Sequence, residues 1–404
     1  MKRILFLSPV VLFLVACASS FPVTVRPTTA NETLIIAALG ATSHALPLDE
    51  TPPAPAATQI PLSTQTLLPT FNPKPQGTSM IDLAPPLPTA LLSLSAIRPE
   101  NAQMLNPVKI LDNRRGYEMR FTQDGDQLLV LQDVLRVWKM PQQTALRELP
   151  IQTNIYTPLS VSPDGRILVI GNYGTVGDLQ FWSLATAQMV REYRGGEQVR
   201  HLSFNKAGEL LAVGREDGSV TVLDVKSGGK VVGMAGGGSG CEGVAFNPLA
   251  EQLAVSNNTA AIDIWDSALR QVQYSLSIPN AEAACRISEI EYSPNGEILA
   301  ASMFWEKQIV LWEMGKYIAS LTHSNSGTIW KIAWSPNGRL LAAVENSGPN
   351  NPNQIVLWDV QNKAIARILE NYGGNAIFSP DGEFLLTQEE KSGAIVILGI
   401  SPEP

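Results

Sequence analysis

An all-β fold arranged as a seven-bladed β-propeller is predicted for the chain from Pro99 onward, and three observations predict it. First, a phrase repeats. Ile290 to Ala301, IEYSPNGEILAA, returns as Ile332 to Ala343, IAWSPNGRLLAA. Second, weaker copies keep a period. The apolar or aromatic residues ahead of each turn are Phe121, Val161, Phe204, Phe246, Tyr292, Trp334 and Phe378, spaced 40, 43, 42, 46, 42 and 44 residues apart. A fixed period of that length marks stacked supersecondary units. Third, the strand after next ends on a bulky side chain in each copy: Trp138, Trp182, Leu223, Trp265, Trp312, Trp358 and Leu398. Five of the eight tryptophans occupy that one column, so it is a structural position of the repeat.

Each unit is physically consistent. Asp124-Gly125, Asp164-Gly165, Asn295-Gly296, Asn337-Gly338 and Asp381-Gly382 are pairs that tolerate positive φ in a tight hairpin between apolar strands. Runs such as Ile309 to Trp312 and Ile355 to Trp358 are continuously apolar, which requires cover on both faces of the strand. One four-stranded sheet cannot supply that cover, whereas a radial stack of sheets can. The last copy stops after its third strand at Leu398, so its fourth strand must come from elsewhere. Val108 to Leu111, just ahead of the first copy, is the candidate.

Two unlike segments precede the repeats. Lys2 and Arg3 lead into an apolar run, Ile4 to Ala16, broken only by Ser8 and Pro9. Thirteen residues are short of the roughly 20 that span a bilayer, but they suit the apolar region of a secretory signal. The run ends Leu14-Val15-Ala16-Cys17. This resembles the lipobox of bacterial lipoproteins, which implies cleavage after Ala16, lipidation of Cys17 and a protein facing outward from the membrane. Several acyl chains anchor stably at about 0.8 kcal/mol per buried CH₂.

From Ala18 to Arg98, 81 residues hold 13 prolines and 12 threonines but only seven charged side chains. Proline at that density blocks helices and sheet ladders, so a disordered Pro/Thr-rich linker is expected. A flexible coil of this length has ends about 50 Å apart. The predicted domains are a lipoprotein signal peptide at 1–16, the lipidated cysteine and linker at 17–98, and the propeller at 99–404.

Trp265-Asp266 and Trp358-Asp359, with the near match Trp312-Glu313, are similar to the namesake dipeptide of the WD-repeat β-propeller family, and Leu223-Asp224 keeps the acid alone. Phe304 to Glu313, FWEKQIVLWE, resembles that family's pattern from second to third strand. The resemblance runs from about Leu105 to Ile400. It implies a ring closed by a strand from each chain end, and partner binding on the face that carries the channel mouth. The family's blades also hold a Gly-His, a Ser or Thr, an Asp and the Trp in a hydrogen-bonded tetrad. This chain departs from it: His323 has Ala343 in the serine position, blade five has Ser302, Glu306 and Trp312 without a histidine, and blade three has Asp217 with Leu223.

Catalytic chemistry finds little support. The chain has three histidines; His44 lies in the linker and His201 reads as a structural residue of an inner strand. No metal-ligand spacing, no phosphate-cradling loop and no nucleophile elbow occur. Gly236 to Gly240 reads as an inter-blade loop. No catalytic residue, cofactor or metal is assigned. Cys241 and Cys285 precede their landmarks by five and seven residues, in neighbouring blades. Outside the cytoplasm they form a disulfide if their Cα atoms come within about 7 Å, or else remain two buried thiols.

Charge narrows the partner class. Of the formal −8, the signal carries +2 and the linker −1, leaving the propeller at −9. That disfavours nucleic acid and anionic lipid. The residues four before the landmarks, Tyr117, Thr157, Arg200, Glu242, Ser288, Trp330 and Gly374, are expected to ring the channel mouth without repeated chemistry. Arg200 and Trp330 belong to the types enriched at interface hot spots, and Trp305 and the polar loop from Glu345 to Gln354 are further candidates for partner contact. The expected function is that of a non-catalytic, cell-surface protein-binding scaffold. The alternative, an envelope enzyme or small-ligand sensor using the channel, requires several carboxylates or a cation there.

Overall fold

The computed structural model describes residues 94–401, apart from 141, 152–156, 172–178, 235–242, 258–260, 267, 270, 280–286, 305, 324–326 and 347–351. The signal sequence, Cys17, the linker up to residue 93, Cys241, Cys285 and Trp305 lie outside the described residues.

The predicted fold is present. Seven four-stranded antiparallel sheets follow one another, each in the order a-b-c-d along the chain except the last. Blade one runs from Glu118–Phe121 to Thr144–Leu149, and blade six from Thr328–Trp334 to Ala364–Glu370. Blade seven takes its first three strands from Tyr372–Phe378, Phe384–Glu389 and Ile395–Gly399, and its fourth from Asn106–Asp112 at the other end of the described chain. Val108 to Leu111 therefore belong to the ring-closing strand, with Lys109 opposite Ile397 and Ile110 opposite Val396.

The core is divided into seven apolar clusters, each formed between two neighbouring blades. Ala254, Ile262 and Ile264 of blade four meet Ile287, Leu299 and Trp312 of blade five. Leu386, Ile395 and Ile397 of blade seven meet Met119, Leu128 and Val130 of blade one, and this closes the ring. The apolar runs are thereby covered on both faces, which is why they lack strand alternation. Trp312 and Trp358 of the bulky column are buried in such clusters. Trp138, Trp182 and Trp265 pack against others at half-buried positions. In blades one to six the pairing of the third and fourth strands slips by one residue at this column, at Val137/Trp138 and Leu357/Trp358 for example. The extra residue belongs to the fourth strand, so a wide side chain sits opposite a bulge.

The turns explain the repeated Ser-Pro-Asp/Asn-Gly. Ser162 Oγ donates to Asp164 Oδ1 at 2.6 Å and accepts from Ile167 N–H at 2.9 Å, and Arg166 N–H donates to Asp164 Oδ1 at 3.1 Å. Ser335 with Asn337 and Ser379 with Asp381 repeat the arrangement. Only the glycine takes positive φ, between 67° and 75° at the five pairs, so the loop is wider than a two-residue hairpin.

Two details differ from expectation. Residues 94–98, assigned by composition to the linker, pack on the propeller: Ser95 N–H donates to Ile400 O at 3.1 Å and Ile97 N–H to Gly382 O at 2.8 Å. Leu94 and Ile97 are buried, and Ala102 and Leu105 of the following 3₁₀ turn and its end join the cluster between blades six and seven. In blade six the missing serine is bypassed. Glu345, fully buried, accepts from His323 Nε2 at 3.1 Å, Gly327 N–H at 3.1 Å and Gln354 Nε2 at 2.8 Å. Glu345, next to last in the second strand, and Gln354, first in the third, are thus bound to each other, and residues 347–351 of the loop between them lie outside the described residues.

Candidate functional site

The first strands of the blades line a central channel of about 1100 Å³. Side chains alternate along a strand, so the residues one and three before each landmark share a face. The ring three before the landmarks is Glu118, Pro158, His201, Gly243, Glu289, Lys331 and Asn375; the ring one before is Arg120, Ser160, Ser203, Ala245, Glu291, Ala333 and Ile377. All of these except Gly243 line the channel. These two rings therefore bring three carboxyls and two cations to it, beside the Arg200–Glu216 pair and Glu345. The ring four before the landmarks, the one read from the sequence, did not reveal these groups.

The ring four before the landmarks has a different origin. In blades three, five and six the pairing skips Arg200, Ser288 and Trp330, each lying between paired neighbours. In blade seven it skips Gly374 and Asn375. A bulge re-aims the extra side chain, so these blades present two successive residues to the channel wall instead of one. Arg200 pairs with Glu216 at 2.7 Å. Trp330, 46% exposed, meets Phe304 edge-to-face with centroids 5.0 Å apart. Tyr117, Thr157 and Ser288 also line the channel, whereas Glu242 lies outside the described residues.

Glu118 holds the charged groups together. Its Oε1 lies 2.6 Å from Arg120 Nη1, while its Oε2 receives the Lys331 ammonium and Asn375 Nδ2, the latter at 3.3 Å. Burial pushes this carboxyl up, but Arg120 and Lys331 outweigh it and hold the group below the usual carboxylate range. Burial likewise opposes the charge on Arg120, and Glu118, Glu289 and Glu291 outweigh it in turn.

The other two carboxyls behave differently. Glu289 Oε2 accepts from Ile332 N–H at 2.8 Å, yet burial raises its pKa despite Lys331 and Arg120. Glu291 is pushed up to about 8, by burial first and by Glu289 second. Its Oε2 is buried with no hydrogen-bond partner. Glu291 is therefore mostly protonated at neutral pH. His201, lowered to about 4 by burial and by the nearby Lys331 and Arg200, is neutral. It lies on the inner strand of blade three and forms part of this wall. Such an arrangement can bind and orient a charged group. Among the described residues, no group of three or more His, Cys, Asp or Glu is placed to hold a metal ion.

Comparison with known proteins agrees with this architecture. Residues 180–239 match the family described as anaphase-promoting complex subunit 4 WD40 domain, and residues 315–359 match WD domain, G-beta repeat. The mouse WD repeat and HMG-box DNA-binding protein 1 is 27% identical over 188 residues, 44% of this chain and 16% of that protein. The APC/C activator protein CDC20 of Saccharomyces cerevisiae is 27% identical over 227 residues, 52% of this chain and 36% of that one. The matches thus span less than two fifths of either relative's length. Among solved structures, the β-propeller domain of Cps50 (Swd1) from Myceliophteria thermophila superposes with a TM-score of 0.63 at 16% identity, over 73% of this chain and 99% of that domain. The seven sheets, the two repeat matches and this superposition together identify the fold as a WD-repeat β-propeller.

Proposed function

We propose that this chain is a bacterial lipoprotein, held on the outer side of a membrane through lipidated Cys17, whose propeller is a non-catalytic platform for a protein partner. The signal spans 1–16 and the Pro/Thr-rich tether runs from Cys17 to the packed segment that begins at Leu94. The observation that carries the platform reading is Trp330. A large aromatic side chain stands nearly half exposed on a strand bulge of the channel wall, braced by Phe304, whereas Trp312, Trp334 and Trp358 are buried. Rigid aromatic anchors in such settings dominate protein interfaces. The proteins it is similar to include, by name, an activator of the APC/C and a subunit of the anaphase-promoting complex, which supports a role in protein assembly. Acidity of the propeller disfavours nucleic acid and anionic lipid as partners, which leaves the membrane contact to the lipid anchor.

Crosslinking on intact cells should recover a protein partner. No protein adduct, together with a melting temperature shifted by a sugar or metabolite, would overturn the platform reading. Anchoring has its own result: Cys17→Ser should abolish incorporation of labelled fatty acid and release the protein, and unchanged membrane association would refute the lipobox. A second reading, a small-ligand sensor, is favoured by one specific observation, the carboxyls and cations of the channel.

A further inference from the structure

The charge balance of the channel is incomplete. In the two inner rings Glu118, Glu289 and Glu291 face Arg120 and Lys331, with His201 neutral, Arg200 paired to Glu216, and Glu345 held by His323, Gly327 and Gln354, so one carboxyl of these rings lacks a cation. The Lys331 ammonium and the Asn375 amide N–H are both given to Glu118. The polar atoms left over include oxygens: Glu291 Oε2, and Oδ1 of Asn375, a residue with no exposed surface at all. A buried acceptor without a donor costs about 1–3 kcal/mol, and a buried carboxylate without a counter-charge costs more. What would satisfy this wall is a ligand that brings hydrogen-bond donors and one positive charge.

We infer that the channel binds one organic cation, an ammonium or guanidinium group, seated against Glu289 and Glu291. A metal ion fits less well. Calcium requires six to eight oxygens, and no convergent group of metal-binding side chains occurs among the described residues. An ammonium or guanidinium group is satisfied by one or two carboxyls through charge-assisted hydrogen bonds. In the unliganded protein a proton on Glu291 takes the place of that cation. Besides burial, the groups that set this proton's affinity are Glu289 on the same strand, Arg120 from blade one, and Lys331 and the Trp334 backbone from blade six; Glu118 acts on Glu289, and His201 and Arg200 of blade three line the same channel. The inner strands of blades two, four and seven add no charged side chain at the two rings.

Calorimetric titration of the full chain with N-acetyl-lysine amide and N-acetyl-arginine amide tests the inference, with N-acetyl-norleucine amide as the uncharged control. One cation should bind per chain, and the norleucine compound should not. Because the cation displaces a proton from a group near pKa 8, affinity should rise about thirtyfold between pH 6.5 and pH 9. Glu291→Gln should weaken binding at least tenfold at pH 9. That variant imitates the protonated side chain and should keep the wild-type melting curve at neutral pH; if it fails to fold, the pH series on the unaltered chain decides. Putrescine and a lysine-containing peptide separate a free amine from a polypeptide side chain as the source. Binding of neither capped cation, equal binding of the norleucine control, an affinity flat with pH, or full affinity in folded Glu291→Gln would each overturn the inference. Its failure leaves the platform reading intact, because that reading rests on Trp330 and the mouth.

Discussion

Lys331→Met should destabilise the propeller by about 1–3 kcal/mol at pH 7, less than the loss of a fully buried ion pair, because Lys331 is partly exposed and Glu118 keeps Arg120 as a counter-charge. Glu118 is buried, and among the described residues Lys331 and Arg120 are the two cations that meet its oxygens. Methionine fills similar space without the charge, so the loss reports electrostatics and not a cavity. The effect should depend on pH in a defined direction. The folded-state pKa of Glu118 is depressed, so its contribution is present above the ordinary carboxylate range and disappears as pH falls through the folded value. The difference between Lys331→Met and the unaltered chain should therefore shrink in acid. Adding Glu118→Gln to Lys331→Met should restore much of the loss at pH 7. Urea unfolding measures all three, and a change below about 1 kcal/mol would mean that the pair behaves like a solvated surface bridge.

Removal of the chain through Asp112 should abolish cooperative folding. The strand Asn106–Asp112 covers the buried strand Ile395–Gly399, and the segment ahead of it buries Leu94, Ile97 and Leu105. These three side chains and Leu111 contribute about 1.5–3 kcal/mol each. Their combined contribution is comparable with the roughly 5–15 kcal/mol that stabilises a typical domain. The exposed strand edge would also invite pairing between chains. By contrast, a chain that begins at Leu94 should melt within a few degrees of the full chain, because every contact above is retained. Calorimetry of the two truncated chains separates them: a sharp transition in the chain lacking residues 1–112 would show that the ring does not depend on its clasp.

The repeats and the ring closure were legible because the information is local. A Ser-Pro-Asp/Asn-Gly turn encodes its own hydrogen bonds within five residues, as Ser162, Asp164 and Ile167 demonstrate. A seventh copy ending at its third strand also demands a partner from outside itself. The packed segment Leu94 to Arg98 was not legible, since its neighbours in sequence are proline-rich and its contacts, Gly382 and Ile400, lie about 300 residues away. The charged channel was missed for a different reason. Counting back four residues reached the bulged positions, while the deeper rings lie at one and three, and nothing in composition reveals a bulge. A signal did exist: Glu118-Met119-Arg120 and Glu289-Ile290-Glu291 place charges in alternation inside strands that must form the innermost layer of a closed ring. In the sixth blade, the loss of a serine at Ala343 obscured a network rebuilt around Glu345, two residues further along the same strand.

The claim that the channel-mouth face recruits a protein is tested most directly by the affinity of the crosslinked partner for Trp330→Ala against Tyr317→Ala. Both side chains are nearly half exposed, but Tyr317 lies on the fourth, outer strand of blade five. The account predicts that Trp330→Ala weakens binding about thirtyfold or more, the range of an aromatic hot spot of about 2 kcal/mol, with Tyr317→Ala unchanged. Full affinity in Trp330→Ala, with loss in Tyr317→Ala, would contradict it and place the partner on the rim.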